Sequence, residues 1–241
     1  MHKRVAVLDV MIDAVTMTEA VDILDSYVSQ SKPHLVATAN AEMVMMAQND
    51  KELANILNKA DLVVPDGAGV VWAARFKGFE VPERVAGVDL VQNFLVRSVQ
   101  KNYRIFLFGG APGVAEKAKA AAKSRYPGVQ IVGTRNGFFT EETEKDIIDE
   151  INASGANVLL VALGVPKQEK WLSRNLEKLS VSLAIGVGGT LDVMAGAVKR
   201  APLWMQRANL EWLFRLTLQP QRVLRMIALP HFVLKVITQK T

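Results

Sequence analysis

Polar and glycine residues follow five of the predicted strands of this chain, at the point where each strand ends. They are Thr38 and Asn40, Asp66 and Gly67, Gly109 and Gly110, 164–168, and 186–192. In open α/β sheets, ligands bind beyond the carboxyl ends of the strands, so we expect these residues to share one site. A carboxylate, a hydroxyl, amides and several glycine loops in one place predict chemistry on a phosphate-bearing sugar or nucleotide.

Asp66 is the candidate catalytic base because it lies between a buried strand and a glycine-rich turn that begins at Gly67. Burial raises the pKa of a carboxyl group and brings it toward the working pH, which suits a residue that removes a proton from a hydroxyl. The alternative interpretation is that Asp66 caps a helix or shapes an Asp-Gly turn.

Four further residues are candidates for binding the substrate. The hydroxyl of Thr38, the amide of Asn40 and the guanidinium of Arg84 suit sugar hydroxyls or a leaving diphosphate. Gln168 lies in the first turn of a predicted helix, where its amide can reach a ligand, whereas the adjacent Glu169 is expected to face solvent. Arg84 alone is also compatible with a solvated surface charge.

Two glycine loops predict contacts to a nucleotide. Gly110 lies in a loop that opens a helix, and the loop containing Gly188 is followed by Asp192. Backbone amides at a helix start favour a phosphate, so we assign Gly110, Gly188 and Asp192 to the nucleotide. Neither loop matches the G-x-G-x-x-G motif, and Leu191 takes the last glycine position of the second, which disfavours nicotinamide chemistry. Each loop alone is also typical of a tight strand-to-helix turn.

The chain offers few residues for metal or nucleophilic chemistry. It has no cysteine, three scattered histidines, no Asp-x-Asp pair and no Gly-x-Ser-x-Gly motif. Disulfides and thiolate metal sites are therefore excluded, and we expect a reaction that uses no metal ion and no cofactor. In a nucleotide-sugar transferase without Asp-x-Asp, cationic side chains and helix N-termini must neutralise the leaving diphosphate.

Short strands rich in Val, Ile and Leu alternate with amphipathic helices along most of the chain. The predicted strands are 34–39, 62–64, 104–108, 129–133, 157–163 and 181–187, and the predicted helices include 114–125, 141–152 and 167–179. This alternation predicts an α/β fold, a Rossmann-like parallel sheet with helices on both faces. Residues 5–16 form two short alternating runs, which predict a small N-terminal β-hairpin attached to that sheet.

A basic segment follows the predicted catalytic core, which comprises residues 1–196. The predicted helical C-terminal appendage, 197–241, contains eight cations and one acid, Glu211, although the whole chain has a net charge of only +5. One helix is expected over 203–218. A basic and apolar appendage favours an anionic membrane surface, and no recognisable nucleic-acid-binding motif accompanies it.

The appendage is expected to fold back over the sheet edge, where Arg215, Arg222 and Arg225 clamp a diphosphate and close the site. The apolar stretch 223–237 is too short and too interrupted to span a bilayer, so we expect it to lie on the membrane surface. The alternative is an amphipathic helix that packs on a second subunit. The first residues lack the apolar core of a secretory signal, and the absence of cysteine suits the cytoplasm.

Seven motifs follow one another along almost the whole chain. They are 38–43, 65–67, 84–89, 106–110, 164–169, 186–192, and, in the appendage, 209–212 followed by Arg215, Gln219, Pro220, Arg222 and Arg225. Together they resemble the WecG/TagA/CpsF glycosyltransferases, glycosyltransferase family 26, and most of all the TagA branch of that family.

The resemblance implies an inverting transfer of N-acetylmannosamine from UDP-ManNAc to the 4-hydroxyl of GlcNAc on undecaprenyl diphosphate. The β-1,4-linked product belongs to the synthesis of the wall teichoic acid linkage unit, and no metal takes part. Asp66 is implied as the base. The implied substrate-binding residues are Thr38, Asn40, Arg84, Gln168, Arg215, Arg222 and Arg225.

The resemblance also implies partners and a location. The core self-associates as a homo-oligomer, and the active form is a monomer bound peripherally to the cytoplasmic face of the plasma membrane. Three alternatives stay open: the uronic acid form of the donor sugar for another surface polysaccharide, a different nucleotide-using α/β enzyme such as a dehydrogenase, and a non-catalytic lipid-binding scaffold.

Overall fold

The computed structural model describes residues 3–218 and 228–239. The strands are β1 (Arg4–Val7), β2 (Val10–Asp13), β3 (His34–Ala39), β4 (Leu62–Pro65), β5 (Arg104–Gly109), β6 (Gln130–Arg135), β7 (Val158–Ala162) and β8 (Leu183–Gly186). The helices are α1 (Met17–Val28), α2 (Ala41–Ala47), α3 (Lys51–Lys59), α4 (Ala68–Phe76), α5 (Gly87–Lys101), α6 (Val114–Arg125), α7 (Glu141–Ala153), α8 (Lys167–Asn175), α9 (Thr190–Met194), α10 (Leu203–Arg207), α11 (Glu211–Leu218) and α12 (Ala228–Thr238).

Six strands form one parallel sheet in the order β4-β3-β8-β7-β5-β6. All residues of β3, β4, β7 and β8 are buried, because a parallel sheet is covered on both faces and its strands are mostly apolar. The carboxyl ends of these four strands lie side by side at one edge. The predicted parallel sheet is confirmed, and each predicted strand has its counterpart.

Helices cover both faces of the sheet. One apolar core contains side chains of α1, α5, α6 and α9, and the other contains side chains of α2, α3, α4, α7, α8 and α12. Successive residues of β3 alternate between the two cores: Val36 belongs to the first and Ala37 to the second, as the period of a strand requires. This arrangement confirms the predicted α/β class.

The predicted N-terminal hairpin is present. Strands β1 and β2 pair antiparallel through a two-residue turn at Leu8 and Asp9, which both have positive φ, the geometry of a tight hairpin turn. The hairpin is a separate two-stranded sheet. Buried Asp13 attaches it to the main sheet, because its Oδ2 accepts a 2.6 Å hydrogen bond from the Val63 amide of β4. Its Oδ1 lies 3.1 Å from Nε of Arg4 and so forms an ion pair within the hairpin.

The appendage differs from the single helix expected over 203–218. The structure divides this segment into α10 and α11, with Asn209 between them at a φ of +59°. Asparagine is among the few residues that adopt this left-handed conformation readily, and it often ends helices in this way. The single helix predicted over 167–179 is also too long. Helix α8 ends at Asn175, and a short 3-10 helix follows it.

Helix α12 packs against the core. Phe232 and Val236 are buried. The ring of Phe232 lies beside Gly69 on α4, close enough that a Cβ added at Gly69 would touch it. The opposite side of α12 is exposed and includes Leu234 and Ile237. Across residues 3–218 and 228–239, no helix combines the length and the apolar character needed to cross a membrane.

Candidate active site

A polar cavity lies at the carboxyl ends of β3, β4, β7 and β8. The space in it that is accessible to water is about 120 Å³. Its lining residues are Thr38, Asn40, Glu42, Met43, Asp66, Ala86, Val88, Gly164, Val165, Gln168, Val187, Gly188, Gly189, Thr190, Arg200 and Glu211. The sheet edge therefore brings together five of the predicted residues, namely Thr38, Asn40, Asp66, Gln168 and Gly188.

Asp66 follows β4 directly and lies partly buried in the cavity wall. Its Oδ1 accepts a 2.8 Å hydrogen bond from the amide of Gly87, the first residue of α5. Amide groups in the first turn of a helix have no partner within the helix and attract a carboxylate. Asp66 thus contacts the start of α5.

Thr38 and Asn40 lie at the end of β3, on the same wall. The Thr38 hydroxyl donates a 3.1 Å hydrogen bond to the carbonyl of Gly186. Asn40 is the N-cap of α2, and its Oδ1 accepts a 3.0 Å hydrogen bond from the Met43 amide. Both side chains therefore have fixed positions, because each one stabilises the local backbone while also lining the cavity.

Gln168 connects α8 to the loop after β8. Its Oε1 accepts a 3.0 Å hydrogen bond from the Gly188 amide, and its Nε2 donates one of 2.7 Å to Glu169 Oε1. Gln168 is 1% exposed. The amide predicted to reach a ligand is thus held rigidly in the cavity wall by two contacts.

Glu169 does not face solvent, contrary to the prediction, and is 1% exposed. A charged residue in the first turn of a helix usually faces solvent. Glu169 is buried instead because α8 begins at the sheet edge, where its first turn lies beneath the glycine loop that follows β8. Burial raises the pKa of Glu169 to about 7, and the hydrogen bond from Gln168 opposes this only in part.

Four charged residues form a network beside the cavity. Arg84 Nη2 lies 2.8 Å from Glu211 Oε2, and Arg200 Nε lies 3.2 Å from Glu211 Oε1. Arg200 also contacts both carboxylate oxygens of Asp89, at 2.5 and 2.7 Å, and these contacts raise the pKa of the guanidinium further. Arg84 is therefore an ion-pair partner of the appendage and not an isolated surface charge.

Two residues assigned to the nucleotide lie elsewhere at the sheet edge. The Gly110 amide donates a 3.0 Å hydrogen bond to the carbonyl of Ala162, and a Cβ on Gly110 would lie 2.8 Å from Val114. Asp192 is in α9, and its carbonyl accepts hydrogen bonds from the amides of Ala197 and Val198. Within the described part of the chain, the cavity lining includes Gly188 but not Gly110 or Asp192.

The described residues include only one of the three arginines predicted to clamp the diphosphate. Arg215 is in α11, and Arg222 and Arg225 lie outside the described residues. Sequence reasoning did not select Arg200 or Glu211 for the cavity, although both line it. The sequence did contain one indication of this network. Glu211 is a single acid among eight cations, so an ion pair between it and arginines was to be expected.

An open parallel sheet with a polar cavity at the carboxyl ends of its central strands defines an α/β protein that binds a ligand at that edge. A family model, glycosyl transferase WecG/TagA/CpsF, matches residues 5–241. The chain belongs to this family of glycosyltransferases.

Two curated relatives carry the same name, N-acetylglucosaminyldiphosphoundecaprenol N-acetyl-beta-D-mannosaminyltransferase. The protein of Bacillus subtilis strain 168 is 33% identical over 225 residues, which cover 93% of this chain and 87% of the relative. The protein of Bacillus spizizenii strain W23 is 35% identical over 212 residues, which cover 88% of this chain and 82% of the relative.

Proposed function

We propose that this enzyme transfers N-acetylmannosamine from UDP-ManNAc to the 4-hydroxyl of GlcNAc on undecaprenyl diphosphate. The product is a β-1,4-linked disaccharide of the wall teichoic acid linkage unit. The observation that carries the proposal is the meeting of Asp66, Asn40 and Gln168 in one cavity. The relatives of this chain are named for N-acetylmannosaminyl transfer to N-acetylglucosaminyldiphosphoundecaprenol.

Asp66 is the proposed general base. Its carboxylate removes the proton of the acceptor hydroxyl while that oxygen attacks the anomeric carbon of the donor from the side opposite UDP, which inverts the configuration. The hydrogen bond from the Gly87 amide to Oδ1 supports this role, because it fixes the orientation of the carboxylate relative to the cavity. General bases placed in this way contribute about 10²- to 10⁴-fold to a rate.

Cationic groups are proposed to neutralise the leaving diphosphate, with no metal ion in the reaction. Arg84 and Arg200 both pair with Glu211 next to the cavity, so a diphosphate gains their charge by displacing Glu211 when α11 moves. Arg215, Arg222 and Arg225 are proposed to add to this charge, and Gly110, Gly188 and Asp192 to contact the nucleotide.

The chain is proposed to work as a catalytic core, 1–196, and an appendage, 197–241, that closes the site. The contacts of Glu211 and Arg200 with Arg84 and Asp89 support this division. Ligand pockets usually have volumes of about 300 to 1,000 Å³, so the 120 Å³ cavity must widen to admit a nucleotide sugar. Movement of α11 is the simplest way to widen it.

The appendage is also proposed to bind the cytoplasmic face of the plasma membrane, where the lipid-linked acceptor lies. Exposed apolar side chains on α10 and α12 support this, including Leu203, Trp204 and Leu234, which are 69%, 65% and 61% exposed. The many cations of the segment favour anionic lipids. Self-association of the core is a further part of the proposal.

The deciding experiment measures UDP release with a short-chain lipid diphosphate-GlcNAc acceptor, and offers UDP-ManNAc and its uronic acid form in turn. Asp66→Asn retains an oxygen that accepts from the Gly87 amide but removes the base, so we expect turnover to fall by about 10²- to 10⁴-fold. UDP binding should stay nearly unchanged.

Three results would contradict parts of this proposal. Turnover with the uronic acid donor alone would mean that the donor sugar is the uronic acid form and not ManNAc. Wild-type turnover in Asp66→Asn would show that Asp66 is not the base. Binding of a nicotinamide cofactor in place of UDP would exclude the transfer altogether.

A further inference from the structure

A buried carboxyl group lies directly behind the cavity. Glu169 Oε1 accepts the hydrogen bond from Gln168 Nε2. Considering residues 3–218 and 228–239, the second oxygen, Oε2, is buried without a hydrogen-bond partner. Buried polar atoms of this kind are costly, and each one calls for a physical explanation.

The chemistry of the neighbours fixes which way the Gln168 amide points. The Gly188 amide can only donate, so the Gln168 atom 3.0 Å away must be the oxygen. The NH₂ group of Gln168 must then lie on the other side, facing Glu169 Oε1 at 2.7 Å. An acceptor at residue 169 therefore stabilises the orientation in which Gln168 accepts from Gly188.

The backbone leaves room for this pair. A Cβ on Gly186 would lie 2.8 Å from Gln168 Nε2 and 3.2 Å from Glu169 Oε1, so only a glycine permits this arrangement without displacement. The Gly186 carbonyl accepts from the Thr38 hydroxyl. Two residues further along, Gly188 has a φ of +51° and lines the cavity.

We propose that Glu169 is a positioning residue for the donor-binding loop 186–190: it holds the Gln168 amide in the one orientation that binds the Gly188 amide, and so sets the shape of the cavity wall. The inference rests on the proposed function only in naming the donor as the ligand. Glu169 touches no substrate and acts through Gln168.

The test compares two variants of similar size. In Glu169→Gln the new side chain still offers an oxygen to Gln168 Nε2, whereas Glu169→Met fills the space without an acceptor. We expect Glu169→Met to weaken UDP binding about tenfold, as the loss of a buried hydrogen bond does, and to accelerate hydrogen exchange at the Gly188 amide. Glu169→Gln should stay within about threefold of the wild type in both measurements.

Gln168→Leu breaks the same connection from the other side. Because Gln168 is itself a proposed binding residue, only its effect on Gly188 exchange bears on the positioning role, and we expect that exchange to accelerate as in Glu169→Met. The double variant Gln168→Leu with Glu169→Met should be no worse than Gln168→Leu alone. Glu169→Leu, which also lacks an acceptor, takes the place of Glu169→Met if the latter fails to fold. In steady-state kinetics, Glu169→Met should raise KM for the donor while KM for the acceptor stays unchanged.

Additive losses in the double variant, or unchanged Gly188 exchange in Glu169→Met, would overturn the positioning role. An equal loss in Glu169→Gln and Glu169→Met would overturn it too, because the conservative variant keeps the acceptor. Gly188 exchange needs no substrate, so it separates this inference from the proposed transfer. If the wild-type protein transfers no ManNAc, only the proposed transfer is refuted, and the positioning role of Glu169 is still tested by Gly188 exchange.

Discussion

Glu211, the single acidic residue among 197–241, lies 2.8 Å from Arg84 of the proposed core. Both side chains are largely buried, with 14% and 20% of their surfaces exposed. Arg200 shares the same carboxylate and contacts Asp89 at the start of α5. One acid therefore connects α11 to the core through two arginines.

Replacing Glu211 by Ala should loosen α11 from the core. The change removes both ion pairs and leaves the largely buried Arg84 without its carboxylate partner, a loss of about 1 to 3 kcal/mol. We expect proteolysis within 203–218 to become at least about fivefold faster, since cleavage follows the population of the open form. Glu150→Ala is the control, because its pair with Arg135 is half exposed. Equal cleavage rates in the two variants would exclude closure by this network.

Truncation after Gly196 tests the proposed division of the chain. The deletion removes Arg200 and Glu211 from the cavity wall and uncovers the apolar surface of α2 and α4 under Phe232 and Val236. We expect a protein that still unfolds cooperatively and whose helical circular dichroism falls only by the contribution of α10, α11 and α12, but that loses turnover. Full activity of the truncated protein would show that the appendage has no part in the site.

Most of the fold follows from the sequence, because the strands carry a strong local signal. The runs from His34 to Ala39 and from Arg104 to Phe108 are mostly apolar and are followed by polar or glycine residues, so both the strands and their shared edge are predictable. Helix 114–125 was predicted with the bounds it has. The break at Asn209 was missed, because one residue in the left-handed conformation leaves the apolar pattern on both sides intact.

The cavity was predictable only where its residues follow a strand. Asp66 and Asn40 satisfy that rule, and both line the cavity. Arg200 and Glu211 reach it from the appendage through long-range ion pairs, which no local spacing encodes. Glu169 was misplaced for a related reason: a charged residue in a first helical turn is usually exposed, and its burial depends on the glycine at 186.

Gly186→Ala should disturb the buried pair behind the cavity. The added methyl group would lie 2.8 Å from Gln168 Nε2, and overpacking of this kind costs about 1 to 3 kcal/mol. Gly189→Ala is the matched control in the same loop, because its φ of −73° is ordinary and, among the described residues, its Cβ meets only Asp192 Oδ2, at 3.9 Å. Urea denaturation should show a large loss for the first variant and a change below about 1 kcal/mol for the second. Equal losses would contradict the packing around Gln168.

Surface binding should depend on the exposed side of α12. Leu234 is 61% exposed there, so Leu234→Glu should leave the fold unchanged while adding a charge that both the bilayer interior and anionic lipids disfavour. We expect binding to vesicles of phosphatidylglycerol and phosphatidylcholine to weaken about tenfold. Val96→Glu, at a 49% exposed position on α5, is the control and should bind normally. The same affinity for both variants would rule out α12 as the contact surface.

The free energy of unfolding of the protein should depend on pH because of the titration of Glu169. Burial raises the pKa of its carboxyl group from 4.5 to about 7, so between these values the folded state holds a proton that the unfolded state has lost. The contribution of Glu169 to stability is therefore fully present below pH 4.5 and is lost as the pH rises through 7, by about 3 kcal/mol. Glu169→Gln has no such titration. The free energy of unfolding of the variant, relative to the wild type, should rise by this amount between pH 5 and pH 8 in urea denaturation. A constant difference across that range would mean that the carboxyl group titrates at its ordinary pKa and is not confined behind the cavity as the structure has it.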